Sequence, residues 1–266
     1  MSLSFAKPTT RTIIRTLIPI GTALLAFVVT GFLLLAGGFD PLEAYGLILQ
    51  GSVGGVREVG ETLVRTTSLL LTGLAVGFAF RCKVWNIGAE GQLYFGAIGA
   101  VVIALTVAGQ IPVFGVIIAI IFAMIFGAGW AAIAGVLKSR LGVNEIIVTV
   151  MLNFIAILFV DFLVHGALKA PGFEPQTALI PFTSQLPILI EGTRLHAGFL
   201  VAIAAAVLIY LILFKTKTGF SLRATGVNPK ASGYAGINVK RSILLTLLIS
   251  GAVAGIAGAC LVQGVN

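Results

Sequence analysis

The chain has 266 residues, of which 58% are hydrophobic and only 10% charged, with a mean hydropathy of +1.11. A soluble domain carries about 25% charged residues, so a water-soluble enzyme or binding module is excluded and lipid is the solvent of this fold. The net charge of +8 does not read as a nucleic-acid surface, because the basic residues are scattered between apolar runs.

In chain order the sequence predicts an all-α, polytopic membrane protein with seven spans, near 17–37, 62–80, 91–108, 112–137, 143–164, 198–214 and 242–262. Each is an apolar run of roughly the 20 residues that a bilayer requires. The first follows Lys7, Arg11 and Arg15 but is too long for a signal peptide's apolar core, so it reads as an uncleaved helix. Glycine is abundant at 33 residues, and in lipid small residues let helix backbones approach. The pairs Gly73/Gly77 and Gly251/Gly255 therefore read as close-packing faces. The whole of 1–266 reads as a single transmembrane domain, and its stop at Asn266 leads us to expect that the natural protein continues.

Charge sets the orientation. With the N-terminus cytoplasmic, the inner connections hold Lys7, Arg11, Arg15, Arg81, Lys83, Lys138, Arg140, Lys215, Lys217, Arg223, Lys230, Lys240 and Arg241. The outer ones hold only Arg57, Arg65, Lys169 and Arg194, a bias of thirteen to four in the sense that Lys and Arg resist translocation. Cys82 and Cys260 then lie on opposite sides and cannot pair. Of the outer connections, 38–61 contains an amphipathic piece at 42–49, and 166–197 is a Pro- and Thr-rich stretch that should be ordered.

The inner connection 215–241 is the longest polar run, with six basic residues and no acid. Asn228 and Pro229 form a helix-start signal, since Asn caps orphan amides and Pro suits the first helical position. A stubby helix over 230–236, ended by Gly236, is expected there as a surface for another protein.

Nothing in the sequence converges on catalysis. His165 and His196 sit at the outer ends of spans and read as interfacial side chains rather than metal ligands, so no catalytic or metal residue is assigned. No phosphate-binding loop of the ATPase type occurs. Two polar sets remain at membrane depth. Glu145, Thr149 and Asn153 share one helix face, either lining a pathway or bonding a neighbouring helix. Asn86, Glu90 and Gln92 lie in a glycine-rich span entrance, which is either irregular backbone against a cavity or an ordinary helix start.

Three motifs carry a resemblance: VWNIGAEGQLYFGAIGA at 84–100, VNEIIVTVMLNFIA at 143–156 and GFSLRATGVNPKASGYAGINV at 219–239. In this order they resemble the permease subunits of ATP-binding-cassette importers for ribose, simple sugars and nucleosides, most closely the nucleoside branch. The resemblance implies a bacterial inner-membrane permease that pairs with a second permease subunit, same or different. It implies two cytoplasmic ATPase subunits that use the ATP, an extracytoplasmic substrate-binding protein, and no cofactor in this chain. It also implies a coupling region built on Ala224, Gly226, Asn228, Pro229, Ala231, Gly233, Ala235 and Gly236. A stand-alone secondary transporter is the alternative from another class. It would require intramembrane carboxylates with partners, yet Glu90, Glu145 and Asp161 each lie near a span end, and no inverted repeat is evident.

Overall fold

Helices run past the apolar windows wherever polar flanking residues can satisfy their ends. The computed structural model describes residues 10–111 and 114–265, with side chains from Leu17 onward except that of Ala108. Lys7, Pro112 and Asn266 lie outside the described residues, as do the side chains of Arg11 and Arg15. The elements are α1 (Thr10–Ala36), α2 (Pro41–Val53), α3 (Val56–Arg81), α4 (Ala89–Thr106), α5 (Gly115–Leu141), α6 (Glu145–His165), α7 (Gly198–Lys215), α8 (Lys217–Val227), α9 (Pro229–Tyr234) and α10 (Val239–Gly264). Seven of them, α1, α3, α4, α5, α6, α7 and α10, are long and apolar enough to cross a membrane, as the sequence predicts. Two units divide between Val59 and Gly60.

The first unit holds α1 and α2. Asp40 caps α2 by accepting from the Leu42 amide at 2.8 Å, with Pro41 at the first helical position. The Tyr45 hydroxyl donates to the Phe27 carbonyl at 2.5 Å, and the two rings meet edge to face. No residue of α2 is buried, consistent with a helix placed at an interface.

The second unit is built around α10. Two thirds of its most apolar window (67%) is buried, against 17–44% for α3 to α7, so it is the element the others enclose. It packs on α5 and α4 through backbone rather than side chains. A side chain on Gly255 would strike the Ala123 carbonyl, and one on Gly96 would strike the backbone of Gly255. Lipid gives helices no hydrophobic drive to associate, so this close approach supplies the attraction through dispersion. Leu71, Ala75 and Phe78 of α3, Ala202 and Ile209 of α7, and Leu222 of α8 pack as a second buried cluster against α10.

Gly251 and Gly255 thus form the expected packing face. Gly73 and Gly77 do not: a side chain at either would meet nothing within 4 Å. The motif is the same, but no helix of the unit lies against this side of α3.

One end of the unit collects the 82–88 turn, the 142–144 turn and the α8–α9 segment, and with them the basic residues; we call it the basic end. At the opposite end, 166–197 is ordered by hydrogen bonds. The Leu186 amide donates to the Gln263 carbonyl at 2.8 Å, Leu189 donates to the Leu195 carbonyl at 2.7 Å, and Ile188 bridges antiparallel to His196.

Candidate functional site

At the basic end the chain leaves α3 in a tight turn where Lys83 has φ of 56°, a left-handed conformation that a lysine seldom adopts. Residues 84–87 form no regular secondary structure and Gly88 is a turn, so their backbone groups need partners outside a helix ladder. The Asn86 side chain anchors the segment. Its side chain is fully buried, and its amide nitrogen donates to Gln92 Oε1 at 2.9 Å and to Ser250 Oγ at 2.8 Å. Its carbonyl oxygen accepts from the Gly88 amide and from Gln92 Nε2, both at 3.0 Å. Ser250 passes its own proton to the Ala75 carbonyl at 2.7 Å. Both donors and both acceptor positions of Asn86 are thereby occupied.

From the other side, α6 closes on the same segment. Asn153 accepts from the Gly91 amide at 2.9 Å and donates to the Ile87 carbonyl at 3.0 Å. Gly91 carries one of the first amides of α4, which no intrahelical carbonyl can satisfy, and the local cap at Gly88 provides no side chain. Thr149 accepts from the Ile87 amide at 3.4 Å and donates to the Glu145 carbonyl at 2.7 Å. A side chain on Gly91 would come within 2.9 Å of Asn153 Oδ1 and 3.1 Å of Trp130 Nε1, so only glycine admits α6 at this distance. Behind it Phe95 stacks on Trp130 with centroids 3.7 Å apart.

Four of the six proposed pathway residues, Asn86, Gln92, Thr149 and Asn153, are therefore brought into one network. It ties α3, α4, α6 and α10 together around the irregular segment 84–88. Glu145 stands beside it as half of an ion pair with Lys138 Nζ at 2.6 Å, with its own side chain 7% exposed and that of Lys138 31%. Glu90 is exposed in the first turn of α4 and outside the network. Ser250 was invisible to local reading, since its partner lies 164 residues away. The signal for it was a run of hydroxyls at Ser242, Thr246 and Ser250, which share one face of an apolar span.

The polar connection 215–241 carries the expected short helix, shifted to Pro229–Tyr234, and adds one element. Asn228 caps α9 by accepting from the Ala231 amide at 3.0 Å, with Pro229 at the first position. The turn closes with the Ile237 amide on the Ser232 carbonyl at 2.9 Å, around Gly236 at φ of 81°. The helix spans Pro229–Tyr234, and α8 before it is a second helix that the sequence reading left as loop. Asn228, Pro229, Ala231, Gly233, Ala235 and Gly236 are exposed, whereas Ala224 and Gly226 are half-buried in α8. Val227 and Tyr234 stand 81% and 94% exposed at the tip. Gly226 lies against the turn after α3, where a side chain would strike the Cys82 carbonyl. The protruding helix pair thus rests on the segment that Asn86 holds. Among the described residues no group of three or more His, Cys, Asp or Glu side chains is arranged to hold a metal.

Residues 59–266 match the family described as branched-chain amino acid transport system / permease component. The chain belongs to that family. All three motifs quoted above fall within the match, and its start coincides with the border between the two units. This permease is 37% identical over 249 residues to the guanosine ABC transporter permease protein NupP of Bacillus subtilis, covering 91% of the chain and 70% of that protein. It is 33% identical over 253 residues to the nucleoside ABC transporter permease protein NupB of Lactococcus lactis, covering 92% and 70%. It is also 33% identical over 261 residues to the glucose ABC transporter permease protein TsgB13 of Haloferax volcanii, covering 92% and 67%. No solved structure is a significant match.

Proposed function

We propose that this permease carries nucleosides inward across a bacterial inner membrane as the transmembrane subunit of an ABC importer. The observation that carries the reading is its similarity to the guanosine and nucleoside permeases over more than nine tenths of its length. In this reading the basic end faces the cytoplasm, where retention of Lys and Arg favours it. The α8–α9 pair docks in a groove of an ATPase subunit, with Val227 and Tyr234 as apolar contacts and Asn228 to Gly236 as the gripped surface. A second permease subunit completes the membrane unit, and a binding protein delivers solute at the opposite end. ATP is bound and hydrolysed on the ATPase, and this chain performs no chemistry of its own.

The geometry supports a mechanical role for the network. Motion of α8 is passed to the Cys82–Lys83 turn through the Gly226 contact, and from there to α4, α6 and α10 by Asn86, Asn153 and Thr149. A stretch whose polar groups all have partners moves as a body, which suits alternating access. Glu90 and the partly exposed Asn153 remain the candidates for weak polar contact with solute.

The test is uptake of labelled nucleosides by cells expressing the permease with its genomic neighbours. Nucleoside uptake that requires the ATPase and competes poorly with ribose is the expected result. Sugar uptake in its place would support the second reading, a simple-sugar permease, for which the similarity to TsgB13 speaks. Uptake with the ATPase omitted would overturn the mechanism and favour a secondary transporter.

A further inference from the structure

An open groove of 420 Å³ runs between α3 and α7, lined by Leu70, Gly73, Gly77, Ile209, Tyr210 and Phe214 among others. Its floor at Gly73 and Gly77 is empty. The lining is apolar until the basic end, where Arg81 closes it. There the Arg81 guanidinium lies 5.9 Å from the centroid of the Phe214 ring, and the Arg223 guanidinium of α8 lies 5.0 Å from the same centroid. Two cations share one aromatic ring.

Neither has a counter-charge. The ion pairs among the described residues are Lys138–Glu145, His165–Asp161 and Arg194–Glu61, and none includes Arg81 or Arg223. Arg223 Nε is buried without a hydrogen-bond partner. A buried donor left unpaired is costly, and two cations beside one ring with no counter-charge favour an anion at this point. Arginine's planar fork matches a phosphate.

The length of the groove identifies the rest of the ligand. It follows α3 from Leu69 to Arg81, twelve residues of rise, or about 18 Å at 1.5 Å per residue. That is slightly more than half of a hydrocarbon core of about 30 Å, the depth of one leaflet. A partner helix would use the whole span. A single acyl chain uses one leaflet and ends at a headgroup.

We infer that this groove binds an anionic phospholipid, with one acyl chain over Gly73 and Gly77 and the phosphate on Arg81 and Arg223. Basic pockets between membrane helices suit such headgroups in general. The site includes Arg223 of α8 but none of the exposed residues of α9.

Native mass spectrometry of the purified full chain in detergent tests it, with phosphatidylglycerol and phosphatidylcholine of matched acyl chains as probes. Phosphatidylglycerol should be retained in preference. Arg81→Gln combined with Arg223→Gln should weaken its retention on the order of tenfold, the loss expected for two charges near a headgroup. The paired lysine variants should keep most of it. Gly77→Leu fills the floor with the arginines intact and should lower retention of both lipids, giving an independent reading if the double glutamine variant does not fold. Equal retention of the two lipids overturns the inference, as does retention unchanged by Gly77→Leu. Retention unchanged in the double glutamine variant overturns it too.

Discussion

At the scale of single residues, Asn86 is the position with least freedom. Its amide meets two donors' and two acceptors' worth of partners, and each partner is buried with it. Replacing it by leucine orphans the Gln92 amide and the Gly88 amide, at about 1–3 kcal/mol for each group left unsatisfied, and leaves Ser250 with only its bond to the Ala75 carbonyl. Asn86→Leu should therefore lower the unfolding temperature more than Asn153→Ala, which frees one amide and one carbonyl at a half-exposed position. Thermal unfolding in detergent ranks the two, and an equal or reversed order would refute the network as described. His196 makes a pH-dependent contribution. It is buried at the opposite end and accepts from the Gly198 amide through Nδ1 at 3.2 Å. Burial, and secondarily the charge of Arg194, lowers its pKa below the ordinary 6.5. The unfolded chain then binds the proton more readily than the folded one, so the stability is fully present above pH 6.5 and is lost as the pH falls below it. His196→Gln should flatten that part of the stability profile.

At the scale of elements, the two GxxxG pairs separate what sequence can and cannot convey. Gly73/Gly77 and Gly251/Gly255 are indistinguishable in one dimension, because the motif specifies a smooth helix face and says nothing of what lies against it. Gly255→Val should prevent α5 and α10 from packing, since the α5 backbone at Ala123 and Gly127 occupies the place of the new side chain. Gly77→Ala meets open space and should be neutral or stabilising by about 0.5–1 kcal/mol, the usual gain in a helix interior. Capping behaves differently. Asn228, Pro229 and Gly236 act within a few residues of one another, so α9 was legible in full, and the seven spans follow from apolar length alone. The polar residues were legible as a set but not as a structure. Thr149 and Asn153 share a face by simple periodicity, yet their bonds to Ile87 and Gly91 cross 62–66 residues of chain. The irregular segment 84–88 was one of two readings of its glycine-rich stretch, and what decides between them, the hold of α6 on Ile87, is not local in sequence.

At the scale of the whole molecule, the proposed importer requires that the coupling helices do more than bind. Gly226→Val would lift α8 from the Cys82 turn while leaving the exposed α9 surface unchanged. Such a permease should still co-purify with its ATPase and show ATP hydrolysis, with solute uptake reduced at least tenfold. Deleting 228–236, by contrast, should abolish both association and uptake while the remaining helices still fold. If uptake survived that deletion, α9 would not be the coupling element. The pair of variants distinguishes gripping from transmission.

The enclosure of α10 also bears on how the permease is made. The glycine faces of α4 and α5 that receive it are complete once Leu141 has been synthesised, but α10 begins only at Val239. The interval is 239 − 141 = 98 residues, and at ~5–20 residues per second the ribosome takes roughly 5–20 s to cover it. For that time Gly96 and Gly127 face lipid or the insertion machinery, with smooth surfaces open to the wrong helix. Biogenesis, more than the finished fold, is then the stage at which a substitution in α10 does its damage: a slow or misthreaded α10 leaves earlier helices to pair among themselves.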